Sequence, residues 1–175
     1  FEFGTLAAFA IMAKATLDYA VLEVGLGGRL DAVNILSADC AVITPIGLDH
    51  QEYLGNDREA IGGEKAGIIR AGRAVICGEP EPPDSILNRA RELGSPVYRL
   101  GHEFSIVAHA NGCTWRQGPH VLELPRPAMQ GEHQVNNMAT AVAAVVAVQP
   151  DSLYRQPLLA KGLSSVQLPG RLQQH

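Results

Sequence analysis

Residues 19–31 read YAVLEVGLGGRLD, in which an apolar run ends at the carboxylate of Glu23 and a glycine-rich loop follows. The uninterrupted apolar run predicts a strand over about residues 19–24 that is buried on both faces of a parallel sheet. Burying an unpartnered carboxylate costs on the order of several kcal/mol, so Glu23 requires a cation, a hydrogen-bond donor or an exposed strand end. Ligands of open α/β sheets bind at the carboxyl ends of strands, and Glu23 is therefore a candidate site residue.

Strand-like and helix-like segments alternate up to residue 100 and predict an α/β fold, with a mostly parallel sheet flanked by helices. The other strands are expected at 40–44, 73–78 and 97–100, and the helices at 5–14, 57–70 and 82–94. Asp57 is expected to cap the second of these helices. The later sequence predicts a small antiparallel β-hairpin region with a turn at Asn111-Gly112. Its strands are expected at 104–108, 113–115 and 120–124, followed by helices at 134–148 and 153–162.

The composition is that of a globular protein without a nucleic-acid or membrane surface. Of the 175 residues, 46% are hydrophobic and 18% are charged, which allows a substantial core. The net charge of −4 argues against nucleic-acid binding, and the longest apolar run, residues 6–13, is too short to cross a bilayer. The three cysteines lack metal-ligand spacing, which favours buried free thiols and a cytoplasmic location.

The glycine loop fits neither common nucleotide-binding motif. A dinucleotide fingerprint that starts at Gly25 requires a small residue at position 30, where Leu30 stands. No GxxxxGK[ST] phosphate loop occurs in the sequence. The alternative is a tight turn without a ligand. The charges of Arg29 and Asp31 make that alternative less favourable, because a purely structural turn does not require them.

A second candidate site follows the strand expected at 40–44, where residues 46–50 read IGLDH. If this strand neighbours the one at 19–24, Glu23 and His50 could share a divalent cation. Mg²⁺ prefers oxygen ligands and tolerates one imidazole, and the same pair would also suit Mn²⁺. Taken alone, His50 is more typical of a surface or helix-capping residue.

The third candidate is Lys65, within the EKAGI sequence at 64–68. Ile61, Lys65 and Ile68 have the spacing of one apolar helical stripe. The lysine is therefore either a snorkelling side chain at the edge of the stripe, or a partly desolvated amine that reacts or serves anionic groups. The residues alone leave both interpretations open.

Two polar motifs near the end of the chain are weaker signals. Residues 131–137 read GEHQVNN, before an alanine-rich helix, and could cap that helix or contact a base and a ribose. Arg171 follows Pro169-Gly170, and an arginine on a turn suits either phosphate binding or a surface salt bridge.

Taken together, six segments resemble one known family. They are FEFGT at 1–5, the loop at 23–34, GLDH at 47–50, EKAGI at 64–68, HQVNN at 133–137 and LPGR at 168–171. Their order and spacing are similar to those of the bacterial folylpolyglutamate synthase/dihydrofolate synthase family, a branch of the Mur ligase superfamily. The resemblance covers essentially all 175 residues.

The resemblance implies that residues 1–175 are part of a Mur ligase central domain, which binds ATP and has a P-loop NTPase-like fold. The family's P-loop segment would lie upstream, and its C-terminal glutamate-ligase domain downstream. The chain is therefore expected to be a fragment, in keeping with its start at Phe1 without a methionine.

The implied activity is ATP-dependent amide formation. ATP phosphorylates a pterin-linked carboxylate, and the amine of L-glutamate attacks the acyl phosphate, with release of ADP and phosphate. The substrate would be dihydropteroate or a reduced folate. The resemblance also implies a monomer in the cytoplasm that requires Mg²⁺, or alternatively Mn²⁺.

The family's functional residues map onto matching positions of this sequence. Glu23 and His50 would be Mg²⁺ ligands, and Lys65 would match a lysine that CO₂ carbamylates, which replaces a cation with an anionic oxygen ligand. The pterin site would be lined by Phe1, Leu30, Asp31 and Ala32. ATP would be contacted by Asn137 and Arg171.

Two other interpretations remain from the sequence. One is a different Mur-type ligase, which joins an amino acid to a cell-wall precursor. The other is a non-catalytic metal- or nucleotide-binding scaffold.

We expect the 175-residue chain alone to lack ligase activity, because the phosphate loop and the glutamate-binding domain of the family lie outside it. The measurement is product formation by the isolated chain with ATP, L-glutamate and dihydropteroate. Formation of an ATP- and glutamate-dependent product would contradict this expectation.

Overall fold

A computed structural model describes residues 1–48, 51–129 and 131–166 of the chain. The helices are α1 (Glu2–Met12), α2 (Gln51–Leu54), α3 (Arg58–Ala66), α4 (Asp84–Glu92), α5 (Glu132–Val148) and α6 (Gln156–Ser165). The strands are β1 (Cys40–Ile43), β2 (Ala74–Cys77), β3 (Val97–Arg99), β4 (Phe104–His109), β5 (Gly112–Gln117) and β6 (His120–Leu124). Short 3₁₀ turns occupy Ala32–Ile35 and Pro150–Tyr154. The predicted α/β architecture is confirmed.

The parallel sheet has the order β1-β2-β3, so β2 is the central strand. Its apolar side chains pack in two hydrophobic cores, one on each face of the sheet, because successive side chains of a strand point to opposite faces. Val75 and Cys77 pack in the core that α3 and α4 complete, whereas Ile76 belongs to the core beneath α5. All three side chains are buried. The strand predicted at 73–78 is therefore confirmed at Ala74–Cys77, and both of its faces are covered.

Carboxylate side chains cap the first turns of helices α3 and α4. The carboxylate of Asp57 accepts a hydrogen bond from the Ala60 amide at 2.8 Å and caps α3, as the sequence predicts. Helix α4 has no side-chain cap of its own. Instead, the carboxylate of Glu59 accepts bonds from the Asp84 and Ser85 amides at 2.9 Å, and these backbone donors hold the pKa of Glu59 below its usual value. One helix thus caps the next.

Helix α5 lies between the parallel sheet and the antiparallel sheet β4-β5-β6. The indole of Trp115 on β5 is completely buried, and its N–H donates to the Ala139 carbonyl of α5 at 3.2 Å. The expected hairpin forms, but its turn differs from the prediction. Because His109 pairs with Gly112, the two residues of the loop are Ala110 and Asn111.

The prediction of a strand over residues 19–24 is wrong. The segment carries no strand pairing in the described structure, and Val21 is 96% exposed. An apolar strand needs hydrogen-bonding neighbours and a covering layer, whereas in the described structure no strand pairs with this segment and its side chains are exposed or only half-buried. Helix α1 likewise buries none of its side chains. It begins at Glu2 and not near Thr5, whose hydroxyl donates back to the Phe1 carbonyl at 3.2 Å.

The helix expected over residues 57–70 is shorter than predicted and ends at Ala66. Beyond this point the Gly67 carbonyl accepts side-chain donors from Asn34 and Arg70, and so does not continue the helical ladder. Among the described helices, none is long and apolar enough to cross a membrane.

We predict that Val75→Ala lowers the free energy of unfolding by about 2 kcal/mol, because it removes buried methyl groups and leaves a cavity. The matched control is Val42→Ala on the neighbouring strand β1, where the side chain is 40% exposed. The control should cost less than about 1 kcal/mol. Urea unfolding of the two variants measures both values, and equal losses would contradict the complete burial of Val75.

Candidate active site

The glycine loop at residues 25–31 lies against the end of α3. The Arg29 amide donates to the Glu64 carbonyl at 2.9 Å, and the Arg29 guanidinium bonds the Glu64 carboxylate at 2.9 and 3.1 Å. The arginine side chain is 56% exposed, so this ion pair adds little stability. The backbone contact is the more important one, because it fixes the loop beside Lys65, the next residue of the helix.

Two glycines make this close approach possible. A Cβ atom added to Gly28 would lie 2.9 Å from the Glu64 carbonyl oxygen and 3.2 Å from the Cα of Lys65. A Cβ atom on Gly67 would lie 2.5 Å from the Cα of Arg29. Real side chains do not tolerate such distances to backbone atoms. Gly28 in the loop and Gly67 in the EKAGI sequence therefore both allow the same close contact between the loop and the end of α3.

The carboxylate of Asp31 determines the shape of the loop. One oxygen accepts hydrogen bonds from the Gly25 and Leu26 amides, both at 3.0 Å, and the other accepts from the Val33 amide at 2.8 Å. Hydrogen bonds to an ionised acceptor are among the stronger ones in proteins. Asp31 thus caps the 3₁₀ turn and holds the preceding loop with the same side chain.

A cavity of about 370 Å³ lies between α1 and this loop. Three of the expected pterin residues, Leu30, Asp31 and Ala32, line it together with Glu2 and Leu6 of α1. The fourth expected residue lies nearby. A Cβ atom on Gly25 would be 3.1 Å from the ring of Phe1. The structure therefore gathers all four residues into one region.

The metal and lysine candidates are only partly described. Glu23 is exposed, in the extended segment that leads into the glycine loop, and Lys65 is half-buried on α3. His50 and Arg171 lie outside the described residues. The described residues contain no group of three or more potential metal ligands, although a carboxylate and an imidazole suit a hard divalent ion chemically.

A carboxylate that the sequence analysis missed lies after β2. One oxygen of Glu79 accepts from the Ile46 amide at 3.1 Å, and the other accepts from the Arg58 guanidinium. Glu79 thereby joins the loop after β1 to the first turn of α3. Its position in the sequence, two residues beyond the carboxyl end of an apolar strand, is the signal that marks Glu79 as a candidate.

A second cavity, of about 340 Å³, borders Glu79 and Asn136. The expected ATP residue Asn137 is exposed and does not line this cavity. Its amide donates to Gln134 at 3.3 Å. At the end of β2, burial raises the pKa of the Cys77 thiol to about 12, with a further contribution from the charge of Glu79. That thiol stays protonated near neutral pH and is not a nucleophile.

Comparison with known proteins decides the family. Residues 2–145 match the model of the Mur ligase middle domain. The chain belongs to this family. This Mur ligase middle domain is 44% identical over 174 residues to the Escherichia coli dihydrofolate synthase/folylpolyglutamate synthase. The aligned region covers 99% of the chain and 40% of the relative. The chain thus spans about two fifths of the length of the curated relatives it matches.

Solved structures give the same result. The Mur ligase middle domain superposes with a TM-score of 0.88 and 42% identity on E. coli FolC in complex with ADP, over 99% of this chain and 41% of that one. The bifunctional folylpolyglutamate synthase/dihydrofolate synthase from Yersinia pestis, complexed with AMPPNP and Mn ion, gives a TM-score of 0.86 and 44% identity with the same coverage. The resemblance stated from the sequence is confirmed.

We predict that Gly67→Ala lowers the free energy of unfolding by about 1–3 kcal/mol, because its new methyl group meets the backbone of Arg29. The control is Gly63→Ala within α3, the helix that Gly67 directly follows, where the nearest atom would be 4.0 Å away. This control should stabilise the chain by about 0.5–1 kcal/mol, since alanine is the better helix former. Chemical denaturation measures both, and a stabilising Gly67→Ala would contradict the close approach.

Proposed function

We propose that the chain is the middle domain of a full-length enzyme that joins L-glutamate to dihydropteroate, to a folylpolyglutamate or to both. ATP phosphorylates the substrate carboxylate, and the amine of L-glutamate then displaces phosphate from the acyl phosphate. The observation that carries this proposal is the 44% identity to the E. coli enzyme over 99% of the chain. The enzyme acts in the cytoplasm as a monomer.

Ligands bound to the relatives support this choice of substrates. E. coli FolC has been solved in complex with DHPP and ADP. A bifunctional folylpolyglutamate synthase/dihydrofolate synthase has been solved with Mn, AMPPNP and L-glutamate bound, and it is 44% identical to this chain. The full-length enzyme is likewise proposed to bind ATP, glutamate, a pterin substrate and a divalent metal, Mg²⁺ or Mn²⁺.

The cavity between α1 and the glycine loop is the proposed pterin site. Leu30 is 79% exposed on its wall, and a planar ring that covers this side chain would remove apolar surface from water. The carboxylate of Asp31 is already bonded to three backbone amides, so its role is to shape the wall. The methyl group of Ala32 lines the same cavity, and the ring of Phe1 lies close to Gly25 in the glycine loop.

Lys65 and Glu23 are proposed to serve the phosphoryl-transfer side of the site. The deprotonated Nζ of Lys65 attacks CO₂, a nitrogen–carbon bond forms and a proton leaves, which gives an anionic carbamate. Glu23 and His50 would hold the divalent metal, which would offset negative charge on the transferring phosphoryl group. The half-buried position of Lys65 beside Gly28 supports this role.

ATP is proposed to be held by Asn137 and Arg171. Asn137 lies in α5 with its side chain exposed, and its amide reaches the side chain of Gln134. An amide at this position can donate and accept, as recognition of a nucleobase requires. Arg171 would supply the charge and the planar donor set that suit phosphate oxygens.

The test is ADP release by the full-length enzyme. We predict that dihydropteroate and L-glutamate together stimulate ADP release, and that omission of either one abolishes the stimulation. The comparison arm replaces the pterin with a UDP-linked peptide, the substrate type of a cell-wall ligase. Stimulation by the UDP-linked peptide alone would reject the folate assignment, and no stimulation by either would support a non-catalytic scaffold.

A further inference from the structure

The side chain of Asn34 uses all of its amide donors and one acceptor site. Its Nδ2 donates to the Arg29 carbonyl at 3.2 Å and to the Gly67 carbonyl at 3.1 Å, while its Oδ1 accepts from Arg70 at 2.7 Å. The opposite amide orientation would direct an oxygen at two carbonyl oxygens and a nitrogen at a cation. The network therefore permits one orientation, and Asn34 bridges the cavity loop to the end of α3.

The guanidinium of Arg70 holds this bridge in place. Its Nη2 donates to the carbonyl and side-chain oxygens of Asn34, both at 2.7 Å, and to the Leu36 carbonyl at 3.1 Å. Its Nη1 donates to the Gly67 carbonyl at 3.2 Å. A planar fork can reach these acceptors at once, whereas the ammonium of a lysine is a single point of charge. Arg70 thus holds the C-terminal end of the turn that forms the cavity wall and also contacts the Gly67 carbonyl beyond α3.

The cavity wall has few apolar contacts that could replace this network. Leu30 is 79% exposed and Ile35 is 68% exposed. No residue of the 3₁₀ turn at Ala32–Ile35 is buried. A loop segment with so little buried surface is held by its hydrogen bonds, and it opens locally when they are lost. A ligand that needs the ordered wall then has to order the loop when it binds.

We propose that Arg70 is a positioning residue of the pterin cavity. It acts through Asn34, and together they keep the turn at Ala32–Ile35 against Gly67, two residues beyond Lys65. This inference rests on the proposed function, because it takes the cavity to be the pterin site. It adds that binding of the pterin substrate depends on a cation that does not line the cavity.

The test compares Michaelis constants of the full-length enzyme in dihydropteroate-dependent ADP release. We expect Arg70→Lys to raise the KM for dihydropteroate about tenfold, since several charge-assisted bonds are lost, and to leave the KM for ATP unchanged. Asn34→Asp should have the same effect. It retains the oxygen that faces Arg70 but replaces the donors with an acceptor that the two carbonyl oxygens repel. If Arg70→Lys fails to fold, Arg70→Gln takes its place, because Asn34 itself lines the cavity and its variant alone would not separate positioning from direct contact with the substrate.

The control is Arg89→Lys on α4, where an exposed arginine pairs only with Glu92 of its own helix among the described residues. It should change neither Michaelis constant. An unchanged dihydropteroate KM in both test variants, or equal rises in the KM for dihydropteroate and for ATP, would overturn the inference. A wild-type enzyme that dihydropteroate fails to stimulate would instead reject the proposed function, and the inference with it.

Discussion

The close backbone contact between the glycine loop and the end of α3 is the constraint on which the candidate site depends. Gly28 meets the carbonyl of Glu64, and Gly67 meets the backbone of Arg29. A side chain at either position would separate the two segments. Because the contact is made by backbone atoms on both sides, the relative position of the loop and the helix is set by sterics and by the Arg29 amide bond, not by the exposed ion pair.

This contact places the wall of the proposed pterin cavity next to Lys65, the residue proposed to serve phosphoryl transfer. The loop continues into the cavity wall at Leu30 to Ala32, and the helix carries Lys65. The hydrogen bonds of Asn34 and Arg70 then fix the far end of the wall against Gly67. At the opposite end of the helix, Glu79 binds both Arg58 in its first turn and the Ile46 amide in the loop after β1. Helix α3 is therefore the common support of the site.

The sequence predicted those features that depend on local pattern. Strand β2 was predictable because a short, uninterrupted apolar run is typical of a buried strand, and both of its faces are indeed covered. Asp57 was predictable as a helix cap because capping is a contact between near neighbours in the sequence. The strand over residues 19–24 was not, because its apolar pattern predicts burial, whereas none of its side chains is buried in the described structure. The hairpin turn shifted by one residue because cross-strand pairing, and not the Asn-Gly dipeptide, set the register.

The same distinction applies to the site. The motif match selected Leu30, Asp31 and Ala32, and the structure places all three around one cavity. The match did not indicate that the carboxylate of Asp31 accepts hydrogen bonds from backbone amides of its own loop. Contacts such as Arg70 with Asn34 join residues 36 positions apart, and one sequence without its fold does not indicate such a pair. Family membership supplied the candidates, and the close approach of the loop to α3 supplies the physical reason for their arrangement.

Hydrogen exchange at the Arg29 amide tests this close approach most directly. The amide lies in an irregular and exposed loop, where exchange is normally fast, yet it donates to the Glu64 carbonyl at 2.9 Å. We predict that it exchanges as slowly as the amides in the interior of α3. Exchange of the Arg29 amide at the rate of an unprotected loop amide, while α3 remains protected, would contradict the account.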